Sequence, residues 1–208
     1  MTATRRLLRG VEIVLLAVGV ACLAYVAAVG FEIKTYQALQ ERRLDEVIAA
    51  RKAEVVGMYR TESREATPPE GPTGDQLGDL VGRIEIPRLG LRAAVVQGDN
   101  TAILQVAVGH IPWTPRPGEP GNAVLAGHRD TFFRPLRGVR IGDEVVMRLP
   151  EGDIVFDVTD TALVEPDAVW VMNDTASSVL TLVTCYPFDY VGPAPLRFVV
   201  RAVRRGPV

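Results

Sequence analysis

The chain has 208 residues, 48% hydrophobic and 23% charged, a composition that excludes disorder over most of its length. Its formal net charge is −2, so the strongly basic balance of a general nucleic-acid binder is absent. Two cysteines, Cys22 and Cys185, and two histidines, His110 and His128, exclude a disulfide scaffold and leave too few ligands for a Cys/His zinc site; no cofactor is implied.

Residues 11–31 read VEIVLLAVGVACLAYVAAVGF, 21 residues with Glu12 as the only charge. A helix of that length spans a hydrocarbon core of ~30 Å. Arg5, Arg6 and Arg9 precede it, while Glu32 and Lys34 after it roughly cancel. The positive-inside bias predicts residues 1–10 as a cytoplasmic tail, 11–31 as a single-pass anchor in the cytoplasmic membrane, and the remainder outside. The competing reading is a cleaved signal peptide. Ala24 and Ala27 give it small residues at the wrong spacing, and the apolar run exceeds the usual ~7–15 residues. Both readings make the rest of the chain extracytoplasmic.

Residues 32–60 carry helix formers, no proline and apolar residues near a 3.6-residue period, which predicts a helical stalk. Residues 61–79 (TESREATPPEGPTGDQLGD) have no apolar period and read as a linker. From residue 80 to 208 the texture is mainly β. Runs at 81–86, 91–96, 123–126, 144–149, 154–164, 179–184 and 196–203 lie between Gly, Pro and Asp turns, with short helices expected only at 101–106 and 132–136. Seven or eight short strands in that length predict an all-β barrel or sandwich.

Cys185 closes the run VLTLVTC, directly before Tyr186 and Pro187, where the chain must leave the sheet. A lone extracytoplasmic thiol is a free reactive group, an intermolecular partner, or a small buried hydrophobe. A cysteine nucleophile needs a neighbouring base or cation. His128 ends the small-residue run AVLAG and faces a loop; His110 also follows a glycine, and a structural role is expected for it. In LRFVVRAV, Arg197, Val199 and Arg201 share one strand face. If the Cys185 run and this run pair as a wide antiparallel hairpin, Arg197 becomes the cross-strand neighbour of Cys185, with Arg201 ~13 Å further along. Asp130 has two readings: orienting His128, or capping the expected helix at 132–136.

AGHRDTFFRPL (126–136), TLVTCYPFDYVGPAP (181–195) and RFVVRA (197–202), behind an N-terminal anchor, together resemble the sortases, membrane-anchored cysteine transpeptidases, and most closely their class D group. GHIPWTPRPGEPGN (109–122) is similar to the family's loop before its His strand. One departure is Val183, where the family pattern commonly has Ser or Thr. The resemblance implies a closed eight-stranded β-barrel, His128, Cys185 and Arg197 as catalytic residues, and Thr184, Asn122 and Tyr186 in the substrate pocket. It further implies secreted substrates bearing a C-terminal signal related to Leu-Pro-x-Thr-Gly, and an amine acceptor from a cell-wall peptide or a protein lysine. Two other readings compete. A caspase-like hydrolase also places His about 50 residues before Cys, but its Gln-Ala-Cys signature is missing. A non-catalytic anchored β-domain would simply bury the thiol.

Overall fold

The structure, a computed structural model, describes residues 2–60 and 77–206, with side chains described at 11–47 and 77–206. Helix α1 (Thr2–Arg60) runs without a break through the expected anchor and stalk. Within it, Val11–Val47 is long and apolar enough to cross a membrane, its most apolar window having a mean hydropathy of 2.6. The chain divides into two compact units, Met1–Tyr36 and Gln37–Val208. Most of the expected linker lies outside the described residues. Its last residues already join the sheet: the Gly78 N–H donates to the Gln97 carbonyl and the Gln97 N–H to that of Asp79.

Eight strands close a barrel in the second unit: β1 (Leu80–Ile86), β2 (Leu91–Gln97), β3 (Val108–His110), β4 (Asn122–Ala126), β5 (Glu144–Leu149), β6 (Gly152–Val164), β7 (Val179–Tyr186) and β8 (Leu196–Arg204). Their order around the barrel is β1-β2-β3-β4-β7-β8-β6-β5. The pairs β2–β3 and β4–β7 are parallel and the others antiparallel. Closure removes the free edges that a sandwich would keep.

Period-2 alternation decides which side chains enter the barrel. Ala123 and Leu125 of β4, Leu180 and Leu182 of β7, and Val200 and Ala202 of β8 are buried in the core with Ile84, Val95, Met147 and Phe156. Their neighbours Val124, Thr181 and Val199 point outward yet are also buried. They lie beneath the segment between β6 and β7, residues 165–178, which crosses the outer face.

Two expectations change. The run at 107–110 was not expected to pair, yet β3 bridges β2 and β4. Gly109 is what permits it, since a Cβ there would lie 2.1 Å from the Gly98 carbonyl oxygen. The helix expected at 132–136 is a 3-10 turn at Arg134–Gly138, with no side-chain cap, so Asp130 does not cap it. Helix α2 (Thr101–Val106) forms as expected, capped by Asn100, whose side chain accepts from the Ile103 N–H. The part of α1 from Gln37 onward packs on this barrel. Gln37 accepts from the Ala94 N–H at 2.8 Å and donates to the Val106 carbonyl, and Leu44 is buried. Those contacts close the edge of β2 where short β3 leaves it unpaired.

Candidate active site

Three strand ends build the candidate site. In the β7–β8 ladder Cys185 stands directly opposite Arg197, as the hairpin spacing predicts. Along the parallel β4–β7 ladder Val124 pairs with Thr181 and Ala126 with Val183. Continued two residues past the end of β4, that register would bring His128 beside Cys185. His128, Cys185 and Arg197 are all half-buried at one end of the barrel. Cys185 is a free thiol.

The backbone before His128 is held to β7 from both sides. The Gly127 N–H donates to the Val183 carbonyl at 3.2 Å, and the Thr184 hydroxyl donates to the Gly127 carbonyl at 2.6 Å. Gly127 also lets the chain pass over Phe133, since a Cβ there would lie 2.8 Å from the ring. The His128 carbonyl then accepts from the Phe133 N–H at 3.0 Å and closes the loop. These contacts fix where the imidazole starts, and neither ring nitrogen has a hydrogen bond from the described residues. Arg197 donates from Nη1 to the carbonyls of Leu196 at 3.1 Å and Ala194 at 3.3 Å. Its Nε and Nη2 have no acceptor among the described residues.

Beside this end lies an outward-facing groove of about 140 Å3. Val124 and Ala126 of β4, Val183 of β7 and Arg197 of β8 form its floor, and Val169 and Met172 of the β6–β7 segment its wall. Of the three site residues Arg197 lines this mainly apolar groove, which has the form to hold an extended peptide.

The three expected pocket residues have other placements. Thr184 and Tyr186 point to the opposite side of β7 from Cys185. Thr184 is buried and braces Gly127, while Tyr186 packs against Phe188, edge to face with centroids 5.9 Å apart. Asn122 begins β4, at the end away from His128, and is fully buried. Its Nδ2 donates to the carbonyls of Val171 at 2.9 Å and Asn173 at 3.0 Å, and its Oδ1 accepts from the Thr181 hydroxyl at 2.6 Å. Every polar atom of its side chain is thus engaged in pinning the groove wall. A small polar residue at a strand start gives no sign of this in the sequence, because its partners lie 49 and 51 positions away. His110 is buried as expected, with Nδ1 2.7 Å from Gln97 Oε1 and Nε2 2.9 Å from the Pro115 carbonyl.

Sequence reasoning missed Arg129. Its Nη2 donates to the carbonyls of Tyr190 at 2.6 Å and Gly192 at 3.1 Å, with the guanidinium 5.9 Å from the Tyr190 ring centroid. It ties the loop after His128 to the loop between Cys185 and Arg197. Its position next to His128 was the one available signal.

Residues 84–205 match the family model of the sortase domain. The chain is 31% identical over 172 residues to sortase D of Bacillus subtilis, covering 82% of this chain and 84% of that protein. It is 32% identical over 110 residues to sortase A of Listeria monocytogenes, about half of each chain (51% and 49%). Among solved structures, a Clostridium perfringens sortase D5 transpeptidase superposes with a TM-score of 0.59 at 25% identity, covering 64% of this chain and 83% of that one. A sortase A from Actinomyces oris does so with a TM-score of 0.55 at 28% identity, covering 70% and 89%.

Proposed function

The chain belongs to the sortase family of cysteine transpeptidases, and we propose that it cleaves a sorting signal related to Leu-Pro-x-Thr-Gly and passes the acyl group to an amine. The observation that carries this reading is the cross-strand pair Cys185–Arg197, with His128 just past the end of the strand β4 that flanks β7 and a groove lined by Arg197 alongside.

In this mechanism the groove holds the signal extended, with the threonine carbonyl at Cys185. The thiolate attacks that carbon, and negative charge collects on the oxygen. Arg197 supplies a planar, permanently charged donor for it, with two nitrogens uncommitted to the protein. As the carbon–nitrogen bond breaks, protonated His128 gives its proton to the departing amine, and a thioester remains. An incoming amine then attacks the thioester, gives up a proton to His128 and frees the sulfur as thiolate. The imidazolium and thiolate are thus both restored.

The apolar N-terminal helix supports a single-pass anchor over residues 11–31, and Arg5, Arg6 and Arg9 before it support a barrel outside the cytoplasm. On that reading 32–60 is the stalk, 61–79 the linker and 80–208 the catalytic unit, whose substrates are secreted proteins. A cell-wall peptide or a protein lysine serves as acceptor. The test is product analysis with a labelled signal peptide, with and without triglycine. Transfer predicts a new triglycine conjugate that grows at the expense of hydrolysed peptide. Hydrolysed peptide alone, at every triglycine concentration, would leave a cysteine endopeptidase.

A further inference from the structure

Arg201 stands on the same outward face of β8 as Arg197, four residues along. Its cross-strand neighbours are Asp160 on β6 and Thr181 on β7. Opposite charges facing each other across a ladder ordinarily pair. Here they do not. The β6–β8 register shifts between Val158 and Asp160, and Asp160 Oδ1 turns back to accept from the Thr161 N–H at 2.8 Å. A bulge re-aims a side chain in this way. Thr181 is also engaged, its hydroxyl donating to Asn122. The Arg201 guanidinium is left with no ion pair or hydrogen bond among the described residues, and its Nε is sealed from solvent without an acceptor. A desolvated donor on a charged group is costly unless an acceptor arrives.

The space in front of it is a pocket of about 40 Å3 lined by Asp160, Ala162, Val199 and Arg201, with Trp170 and Val171 over it. That small space suits a carboxylate. Val171 also lines the groove beside Cys185, so the two spaces share a wall. We propose that Arg201 is a second recognition element, which binds the carboxylate of an acidic substrate residue upstream of the cleaved bond. Four β8 positions are ~13 Å, which an extended peptide covers in about four residues. Counted back from the threonine at Cys185, that reaches the residue just before the leucine of the signal. The assignment rests on the transpeptidase reading for its register; the unpartnered guanidinium does not depend on it.

The experiment uses the full-length chain in detergent carrying Cys185→Ala, so that binding is read without turnover. Two fluorescent peptides, Glu-Glu-Leu-Pro-Ala-Thr-Gly and Gln-Gln-Leu-Pro-Ala-Thr-Gly, are titrated by anisotropy. The acidic peptide should bind about tenfold more tightly, the size expected for one charge-assisted bidentate contact. Arg201→Gln should bring the two dissociation constants within about twofold, and Asp160→Asn, which removes a competing acid, should widen the gap. Equal affinities without either substitution, an acidic preference that survives Arg201→Gln, or no binding of either peptide would overturn the proposal. The same peptides offered to the chain with Cys185 intact report separately on the chemistry. No acylation there would contradict the transpeptidase reading, while the ratio of binding constants still decides the role of Arg201.

Discussion

His110 and His128 each follow a glycine, His110 as the last residue of β3 and His128 two residues past the end of the neighbouring β4, and their surroundings differ completely. Around His110 the barrel is closed: the residue is 1% exposed, with Gln97 and the Pro115 carbonyl against its two ring nitrogens. Around His128 the structure holds the backbone and leaves the ring uncommitted. Gly127 is bonded to Val183 and Thr184, Phe133 lies beneath it, and His128 is half-buried. A histidine with both nitrogens bonded inside a core stabilises the fold; one with a fixed backbone and free nitrogens can move protons.

Substitution separates the two most sharply. His128→Ala should remove turnover altogether, with a melting temperature close to that of the unsubstituted chain. His110→Ala should cost about 2–4 kcal/mol of stability, from the lost ring and the polar partners left unpaired, while the folded fraction still turns over. Thermal melts together with active-site-normalised rates check both. The reverse pattern, an inactive His110→Ala beside a working His128→Ala, would exchange the two roles.

Arg197 should give the next largest effect. Removing one oxyanion donor typically costs about 10²–10³ in turnover, and Arg197→Ala should lose that much in kcat with little change in peptide affinity. Arg197→Lys keeps the charge without the planar fork and should recover little of the loss. Single-turnover acylation rates measure this.

Thr184→Val sharpens the comparison from the structural side. It keeps the shape but leaves the Gly127 carbonyl without the hydroxyl that caps it at 2.6 Å. About 1–2 kcal/mol of stability should go. Because Gly127 carries His128, kcat should fall several-fold while KM stays nearly constant. A loss in melting temperature alone would make Thr184 a core residue and no more.

The smallest effect lies far from the site. Hydrogen bonds from Arg88 hold the Asp143 carboxyl below the usual carboxylate range, helped by the Arg140 N–H and opposed by burial. A lowered folded pKa stabilises above the unfolded value of ~3.9, and that stability is lost as pH falls below it. Arg205 acts likewise on Asp157. The melting temperature should therefore drop as pH falls below about 4. Asp143→Asn should flatten part of that drop, modestly because Arg88 is itself half-exposed.

What was legible beforehand divides along similar lines. The strands with clear apolar runs lie where alternation put them, within about two residues at either end. Cys185 and Arg197 pair because a wide hairpin is a local arrangement whose register follows from spacing alone. The strand β3 was hidden because it has three residues and a central glycine, and its pairing depends on Gly98, distant along the chain. Asn122 was given to the pocket by the family resemblance alone. The structure commits its amide to the β6–β7 segment instead, a contact no local pattern encodes. Arg201, expected only as a more distant copy of Arg197, differs from it through a bulge on the neighbouring strand.

The central claim is that the ends of β4, β7 and β8 form one acyl-transfer site, and intact-mass spectrometry tests it most directly. The full-length chain is mixed with a Leu-Pro-Ala-Thr-Gly peptide, quenched in acid and digested. The account predicts a mass gain equal to the peptide up to its threonine, carried on the fragment containing Cys185, discharged by added amine and missing from Cys185→Ala and His128→Ala. An adduct on Cys22, or none on Cys185 while the peptide is consumed, would contradict it.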